Sequence, residues 1–236
     1  MTEASNLSGD AAGWQPIGRN ERRVLGVLVE KAKTTPESYP LTLVALVAGS
    51  NQKSNRSPQM QLDDEEVTIA LDQLKAVGAV REIQGSGRVN KYRHAAYEWL
   101  GVDAAGAAVM AELLLRGPQT AGELRARASR MHEFPDLDAL SGVLDRLQQA
   151  GLVQALTPPG RGQTFAHALY PPDEQKYLAQ KVLAQVDDDL PAKPVTAGVT
   201  SHRTGTDGVT ELRERVEQLE LEVEELKRRL DRVAEI

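Results

Sequence analysis

Residues 71–95 recur at residues 144–168 with a constant offset of 73 and no gap: LDQLKAVGAVREIQGSGRVNKYRHA against LDRLQQAGLVQALTPPGRGQTFAHA. Leu71, Asp72, Leu74, Gly78, Val80, Gly87, Arg88, His94 and Ala95 are identical in the two stretches, nine of 25 positions, which is too many for an ungapped coincidence. A period this long exceeds a solenoid unit, so the repeat reads as a small domain duplicated within the chain.

Each copy carries the same order of signals. In the first, RRVLGVLVEKAK has the apolar spacing of a helix, LTLVALVA reads as a second short helix and DDEEVTIALDQLKAVG as a third. Asp63 with Glu66 three residues on predicts a reciprocal N-terminal cap, and Gly78 a C-terminal stop. VREIQ, GSG and RVNKYRH then read as two strands about a turn. The second copy gives AAVMAELLLRG, a helix opened by Thr120 and Glu123, DLDALSGVLDRLQQAG, and the hairpin LVQAL, PPGRG, QTFAHAL. Three helices followed by a hairpin is the winged helix-turn-helix order. In this setting Gly85 and Gly87 turn a hairpin, since a phosphate-cradling loop would need a helix N-terminus after it.

The expected fold class is mainly α with small β-hairpins: tandem winged helix-turn-helix domains followed by a C-terminal coiled-coil helix. The expected boundaries are a disordered N-terminus over 1–18, winged-helix domains over 19–100 and 101–172, a connecting helix over 173–186, a flexible linker over 187–208 and a coiled-coil helix over 209–236. The linker has small polar residues, prolines and almost no apolar content. In the last segment Val209, Leu212, Val216, Leu219, Val223, Leu226, Leu230 and Val233 alternate spacings of three and four. Valine at most a positions and leucine at most d positions favour a parallel two-stranded coil, hence a homodimer; the alternative is a lone amphipathic helix folding back.

Composition narrows the chemistry. The chain has no cysteine, which excludes disulfides, thiolate nucleophiles and cysteine metal sites. Its start shows no basic-then-apolar leader and no run approaches the ~18 apolar residues of a membrane span, so a soluble, cytoplasmic protein is expected. The formal net charge of −6 is unevenly spread: +2 over 19–100, −1 over 101–172, the rest in the ends. A general electrostatic grip on nucleic acid is therefore not written into the bulk composition.

The stretches ERRVLGVLVEKAKTTPESYPLTLVALVAGSNQKSNRSP and AELLLRGPQTAGELRARASRMHEFPDLDAL resemble the bacterial YceH family. The resemblance covers residues 19–170. It implies a tandem winged-helix fold in a cytoplasmic bacterial protein, and carries over no catalytic or binding residues.

A winged helix usually lays its third helix in the major groove and its wing on the backbone. The stripe Val67, Ala70, Leu71, Leu74 leaves Glu65, Ile69, Asp72 and Ala76 outward; in the second copy Asp138, Gly142, Asp145, Arg146 and Gln149 face out. Both faces are acidic on balance and poorly equipped for base edges, and Asp72 is expected to lack a basic neighbour. Cations lie elsewhere. Lys53, Asn55 and Arg56 sit in NQKSNRSPQ, a polar segment with no evident packing reason. Arg88 lies near the wing tip, and Lys91 and Arg93 flank an inward Tyr92 on its return strand. These six are the candidate nucleic-acid contacts, with Arg125, Arg127 and Arg130 as further cations of the second copy.

No HExxH, GxSxG or GxxxxGK[ST] motif occurs, and His94 and His167 occupy equivalent repeat positions that suggest structural hydrogen bonds. An enzyme, a cofactor and a metal are therefore not expected. Two readings remain: a protein binding double-stranded DNA, with transcriptional regulation as the role such a fold suggests, and an adaptor that uses its winged helices to meet an unidentified protein.

Overall fold

The computed structural model describes residues 13–84, 89–160 and 162–178, all within a compact unit spanning Met1–Leu190. The glycine tip, Arg88, the linker and the whole coil seam from Val209 to Val233 lie outside the described residues.

The first helix, α1 (Arg19–Thr34), buries Val24, Leu25, Val27 and Leu28 and ends in Lys31 and Lys33, which complement the carbonyl end of its dipole. A two-residue strand β1 (Leu41–Thr42) leads directly into α2 (Leu43–Ser50), then come α3 (Asp64–Ala76) and the hairpin β2 (Val80–Gln84) and β3 (Asn90–His94). A short α4 (Ala96–Leu100) connects to α5 (Ala104–Arg116), after which β4 (Gln119–Thr120), α6 (Ala121–Ala128), α7 (Leu137–Gln149), β5 (Val153–Ala155) and β6 (Thr164–His167) repeat the order. Residues 172–178 are helical again. The protein is a mixed α/β chain, predominantly helical, with winged-helix-like elements and small antiparallel sheets.

The end signals act as the sequence suggested. Asp63 Oδ1 accepts from Glu66 N at 2.8 Å while Glu66 Oε2 accepts from Asp63 N at 3.0 Å, so two free amides of α3 are satisfied reciprocally. Thr120 and Glu123 do the same for α6. Gly78 and its repeat equivalent Gly151 both take left-handed φ, 78° and 69°, just past α3 and α7.

Both sheets have three strands, in orders β1-β3-β2 and β4-β6-β5. The two-residue strands are the addition to the expected hairpins: Leu41 pairs with Tyr92 and Gln119 with Phe165. They precede α2 and α6 immediately, so the residue that caps each helix also pairs with a sheet. Gln84 lies opposite Asn90 in the antiparallel β2–β3 pair, as in the expected hairpin.

One apolar core runs through both copies. At its centre α1 meets α5 so closely that a Cβ added at Gly26 would sit 2.9 Å from Leu115 Cγ, which is why glycine stands in the middle of α1. The segment assigned from sequence to a disordered end is ordered over its last residues. Ile17 is buried, Trp14 packs on the core, and Ile17 N donates to Leu169 O at 3.1 Å. An aromatic and an aliphatic side chain close to a helix start are enough to dock it.

The two repeat histidines make the same contact. His94 Nδ1 accepts from Ala96 N at 3.3 Å and His167 Nδ1 from Leu169 N at 3.2 Å. His167 also stacks on Tyr170 with ring centroids 3.9 Å apart, and Arg22 lies 4.7 Å over the far ring. Burial, and then Arg22, push His167 well below its ordinary value of 6.5; burial takes His94 down to about 4. A depressed histidine contributes stability that is fully present above 6.5 and is lost as pH falls toward the folded value. His167→Gln should therefore flatten the pH dependence of urea unfolding between pH 6 and 5 by about 1.4 kcal/mol per pH unit at most. An unchanged slope would mean that His167 is already charged when folded.

Candidate nucleic-acid interface

The polar segment between α2 and α3 has a packing reason after all. Asn51 Nδ2 donates to Leu62 O and Asn51 Oδ1 accepts from Leu62 N, both at 2.7 Å, which closes the loop on itself. Arg23 of α1 donates to Ser50 O at 2.8 Å and Pro58 O at 2.6 Å, so one guanidinium holds both ends. Burial first, then Arg56 and Arg19, lower the Arg23 pKa to about 10 against the opposing pull of Glu30.

Arg56 is the main correction to the expected contacts. Its side chain is 0% exposed; it donates to Glu30 Oε1 at 3.1 Å, Glu30 Oε2 at 2.5 Å, Gly49 O at 3.0 Å and Gln52 Oε1 at 2.9 Å. A fork engaged in this way has no face for a phosphate. Lys53 and Asn55 in the same loop are exposed. Asn55, at a left-handed φ of 59°, accepts from Arg116 Nη2.

Arg56 belongs to a larger network at the α1–α5 seam. Arg130, two residues past α6, reaches Glu30 Oε1 at 2.5 Å and Glu112 Oε2 at 3.0 Å. Arg116 Nε lies 2.6 Å from Glu112 Oε1, a charge contact whose angle does not make a directed hydrogen bond. Glu30 and Glu112 are 2% and 0% exposed. Burial alone would raise the Glu30 pKa, but the Arg56 hydrogen bond and the charges of Arg56, Arg130 and Lys31 overcome it and hold Glu30 below its ordinary 4.5.

The first sheet presents a different surface. Arg81 lies opposite Arg93, and Ile83 opposite Lys91, which also faces Thr42. By strand alternation these five share one side, while Leu41, Val80, Tyr92 and His94 share the other with the core. Arg81 and Arg93 are exposed and Lys91 half-exposed. No acidic residue lies on that side of the paired strands, and among the described residues none of the three cations is in an ion pair. Lys91 and Arg93 were expected here. Arg81 was missed, although alternation from buried Val80 was signal enough to turn it outward.

The same positions of the second sheet, 73 residues on, hold Gln154, Thr164 and Ala166. Ala166 is fully buried, and Gln154 Oε1 accepts from Gln175 Nε2 at 3.3 Å, so this side is neutral and partly covered.

The third helices of the copies keep their expected outward faces. Glu65, Ile69, Asp72 and Ala76 of α3 are exposed, as are Asp138, Asp145, Arg146 and Gln149 of α7, with Gly142 half-buried. Asp72 does have a basic neighbour: Lys75 Nζ is 2.9 Å from Asp72 Oδ1 and 2.8 Å from Glu82 Oε2, and both bonds raise the lysine pKa. The helical count places Lys75 three residues on, at the edge of the face and within reach. Arg125 donates to Phe134 O and Pro135 O at 3.1 and 2.5 Å and anchors a loop. Among the described residues no three His, Cys, Asp or Glu side chains are grouped to hold a metal ion, and no helix is long and apolar enough to cross a membrane.

These features define a predominantly helical α/β protein with winged-helix-like elements and one solvent-facing cationic sheet. Residues 17–161 match the family described as "Protein of unknown function, DUF480". The chain is 60% identical over 201 residues to the UPF0502 protein RB6530 of Rhodopirellula baltica, covering 85% of each. It is 41% identical over 232 residues to a UPF0502 protein of Acidovorax sp. (strain JS42), covering 95% of each. A UPF0502 protein of Pelobacter propionicus is 43% identical over 215 residues, which cover 89% of this chain and 96% of that one. The chain belongs to this DUF480, or UPF0502, family of bacterial proteins.

Glu30→Gln keeps the side-chain volume but leaves two guanidinium groups without their shared counter-charge, and should cost roughly 3–5 kcal/mol in chemical unfolding. A lowered carboxylate contributes stability that is present above its unfolded value and is lost as pH falls through its folded value. The acid limb of the stability profile below about pH 4.5 should accordingly be steeper for the natural chain than for Glu30→Gln.

Proposed function

We propose that the protein binds double-stranded DNA through its phosphate backbone, on two winged helix-turn-helix domains in tandem of which the first makes the contact. The observation that carries this reading is the row Arg81, Arg93 and Lys91 on the open side of the β1-β3-β2 sheet. Arg88, which falls between β2 and β3 in the sequence and outside the described residues, is a further cation of this reading. Lys53 and Asn55 extend the polar surface of the first half; Arg56 is withdrawn from it. The resemblance to the YceH family supports the same tandem winged-helix reading.

A contact of this kind is tolerant of sequence. The outward face of α3 offers carboxylates and Ile69 where base edges call for Arg, Lys, Asn or Gln. Binding should then be governed by counterion release, with log K falling against log salt at about −0.9 per phosphate neutralised. Dimerisation through the 209–236 seam would bring two such wings to one duplex and multiply weak grips by effective concentration. A cytoplasmic regulator fits this reading.

The second reading, an adaptor for another protein, draws on one observation: Ile69 on α3 is 51% exposed within an acidic face. A partner there would be apolar with a basic rim.

Fluorescence anisotropy with mixed-sequence duplexes across a salt series tests the first reading. The three cations of the described sheet should give a slope of about −3, and Arg81→Glu with Arg93→Glu should abolish most of it. Affinity weaker than ~10⁻⁴ M at low salt would rule DNA out, because non-specific binders already do better.

A further inference from the structure

The network at the α1–α5 seam is layered. Its two shared carboxylates, Glu30 and Glu112, are inside, whereas Arg116, Arg127 and Arg130 keep 20%, 35% and 29% of their side chains exposed. Arg116 and Arg130 grip the two oxygens of the same Glu112 carboxylate from α5 and from beyond α6. Arg127 is tied to the same place, because its Nη1 donates to Gln119 Oε1 at 2.7 Å and Gln119 Nε2 donates to Glu112 O at 3.3 Å. Three forks from different elements are therefore tied to the Glu112 region, each with its side chain still partly exposed.

Charge and donor count both leave this cluster wanting an anion. Four guanidinium groups, Arg56, Arg116, Arg127 and Arg130, meet three carboxylates, Glu30, Glu112 and Glu123. Arg116 Nη1, Arg127 Nε and Arg130 Nε donate to no acceptor among the described residues. Burial lowers the Arg116 pKa, and Arg127, Arg130 and Arg56 lower it further against Glu112, a sign of crowded positive charge. The adjoining loop supplies a rim: Asn55 holds Arg116, and exposed Lys53 lies two residues before it, its carbonyl fixed by Gln59 Nε2 at 3.1 Å.

We propose that Arg116, Arg127 and Arg130, with Lys53 and Asn55 at the rim, form a seat for a phosphate group. Each guanidinium keeps one unengaged nitrogen that can donate to a phosphate oxygen, and each is held in place before any ligand arrives, Arg116 and Arg130 by buried carboxylates and Arg127 by Glu123 and Gln119. The seat shares no residue with the cationic sheet. Its occupant is a phosphodiester of nucleic acid or the phosphate of a small molecule; the recognition chemistry is the same.

The test uses the full chain and inorganic pyrophosphate as probe, by isothermal titration calorimetry at low salt. Binding tighter than about 1 mM is expected, with a loss of about tenfold in Arg127→Gln. Among the described residues the hydrogen bond and ion pair of Arg127 go to Gln119 and Glu123, so this variant leaves the buried pairs intact, and its thermal midpoint should stay near that of the natural chain. Should it melt well below, Arg127→Lys, which keeps the charge and loses the fork, takes its place. Arg81→Glu with Arg93→Glu should leave pyrophosphate binding unchanged. If pyrophosphate displaces a labelled duplex from the natural chain but not from Arg127→Gln, the seat takes nucleic acid; if both bind together, it takes a free phosphate compound. No measurable pyrophosphate binding, or equal binding by the Arg127 variant, overturns the seat, and duplex binding that survives alongside leaves the sheet reading standing.

Discussion

Two glutamates buried between α1 and α5 organise the molecule. Taken alone, Glu30 and Glu112 are costly to place in an apolar seam, and arginines close over both: Arg56 and Arg130 over Glu30, and Arg130 with Arg116 of its own helix over Glu112. Arg56 comes from the α2–α3 loop and Arg130 from beyond α6, so making the ion pairs fixes both of those segments. Ser57 N donating to Leu115 O at 3.0 Å draws the same loop onto the end of α5. Such buried pairs add little net stability over a well-packed apolar seam, yet breaking one is expensive. What they add is a single register between the two copies, since any slip of α1 along α5 would strand a carboxylate.

With that seam fixed, the two sequence repeats differ on their outer surfaces. The scaffold positions are kept: a threonine cap on the second helix (Thr42, Thr120), an aspartate cap on the third (Asp63, Asp136), the left-handed glycine, the repeat histidine with its i+2 amide, and a strand added ahead of the second helix. The open sides of the two sheets differ. Arg81, Lys91 and Arg93 in one correspond to Gln154, Thr164 and Ala166 in the other, where Gln175 also reaches over. Loss of charge and gain of cover go together, as expected when one sheet serves packing and the other stays available to a polyanion.

The parts legible in the sequence are those set by local rules. Asp63 and Glu66, Thr120 and Glu123, Gly78, and the outward faces of α3 and α7 all follow from spacing and cap chemistry. The strands Leu41–Thr42 and Gln119–Thr120 do not, because two residues carry no period and exist only through pairing with β3 and β6. Lys53 and Arg56 look equivalent in NQKSNRSPQ, and only the position of Glu30 decides that one is exposed and the other buried. The signal for that was present in VLGVLVEKAK and AAVMAELLLRG, where a single glutamate interrupts an apolar run. A lone acid on the buried stripe calls for an arginine from elsewhere, and the chain supplies two.

Under the proposed DNA reading, the acidic third helix constrains how a duplex can approach. Asp63, Asp64, Glu65 and Glu66 crowd the first turn of α3, the end that a groove-reading helix would bring nearest to the bases and flanking phosphates. Four carboxylates there would offset the three described cations of the sheet almost charge for charge once all lie within one screening length of the phosphates, about 8 Å at physiological salt. Only poses that keep α3 farther than that from the backbone retain the attraction of Arg81, Lys91 and Arg93. If the proposed reading holds, the geometry consistent with the charge is a sheet laid along the backbone with the helix held out of the groove, a grip that would sense phosphate spacing and leave the bases unread.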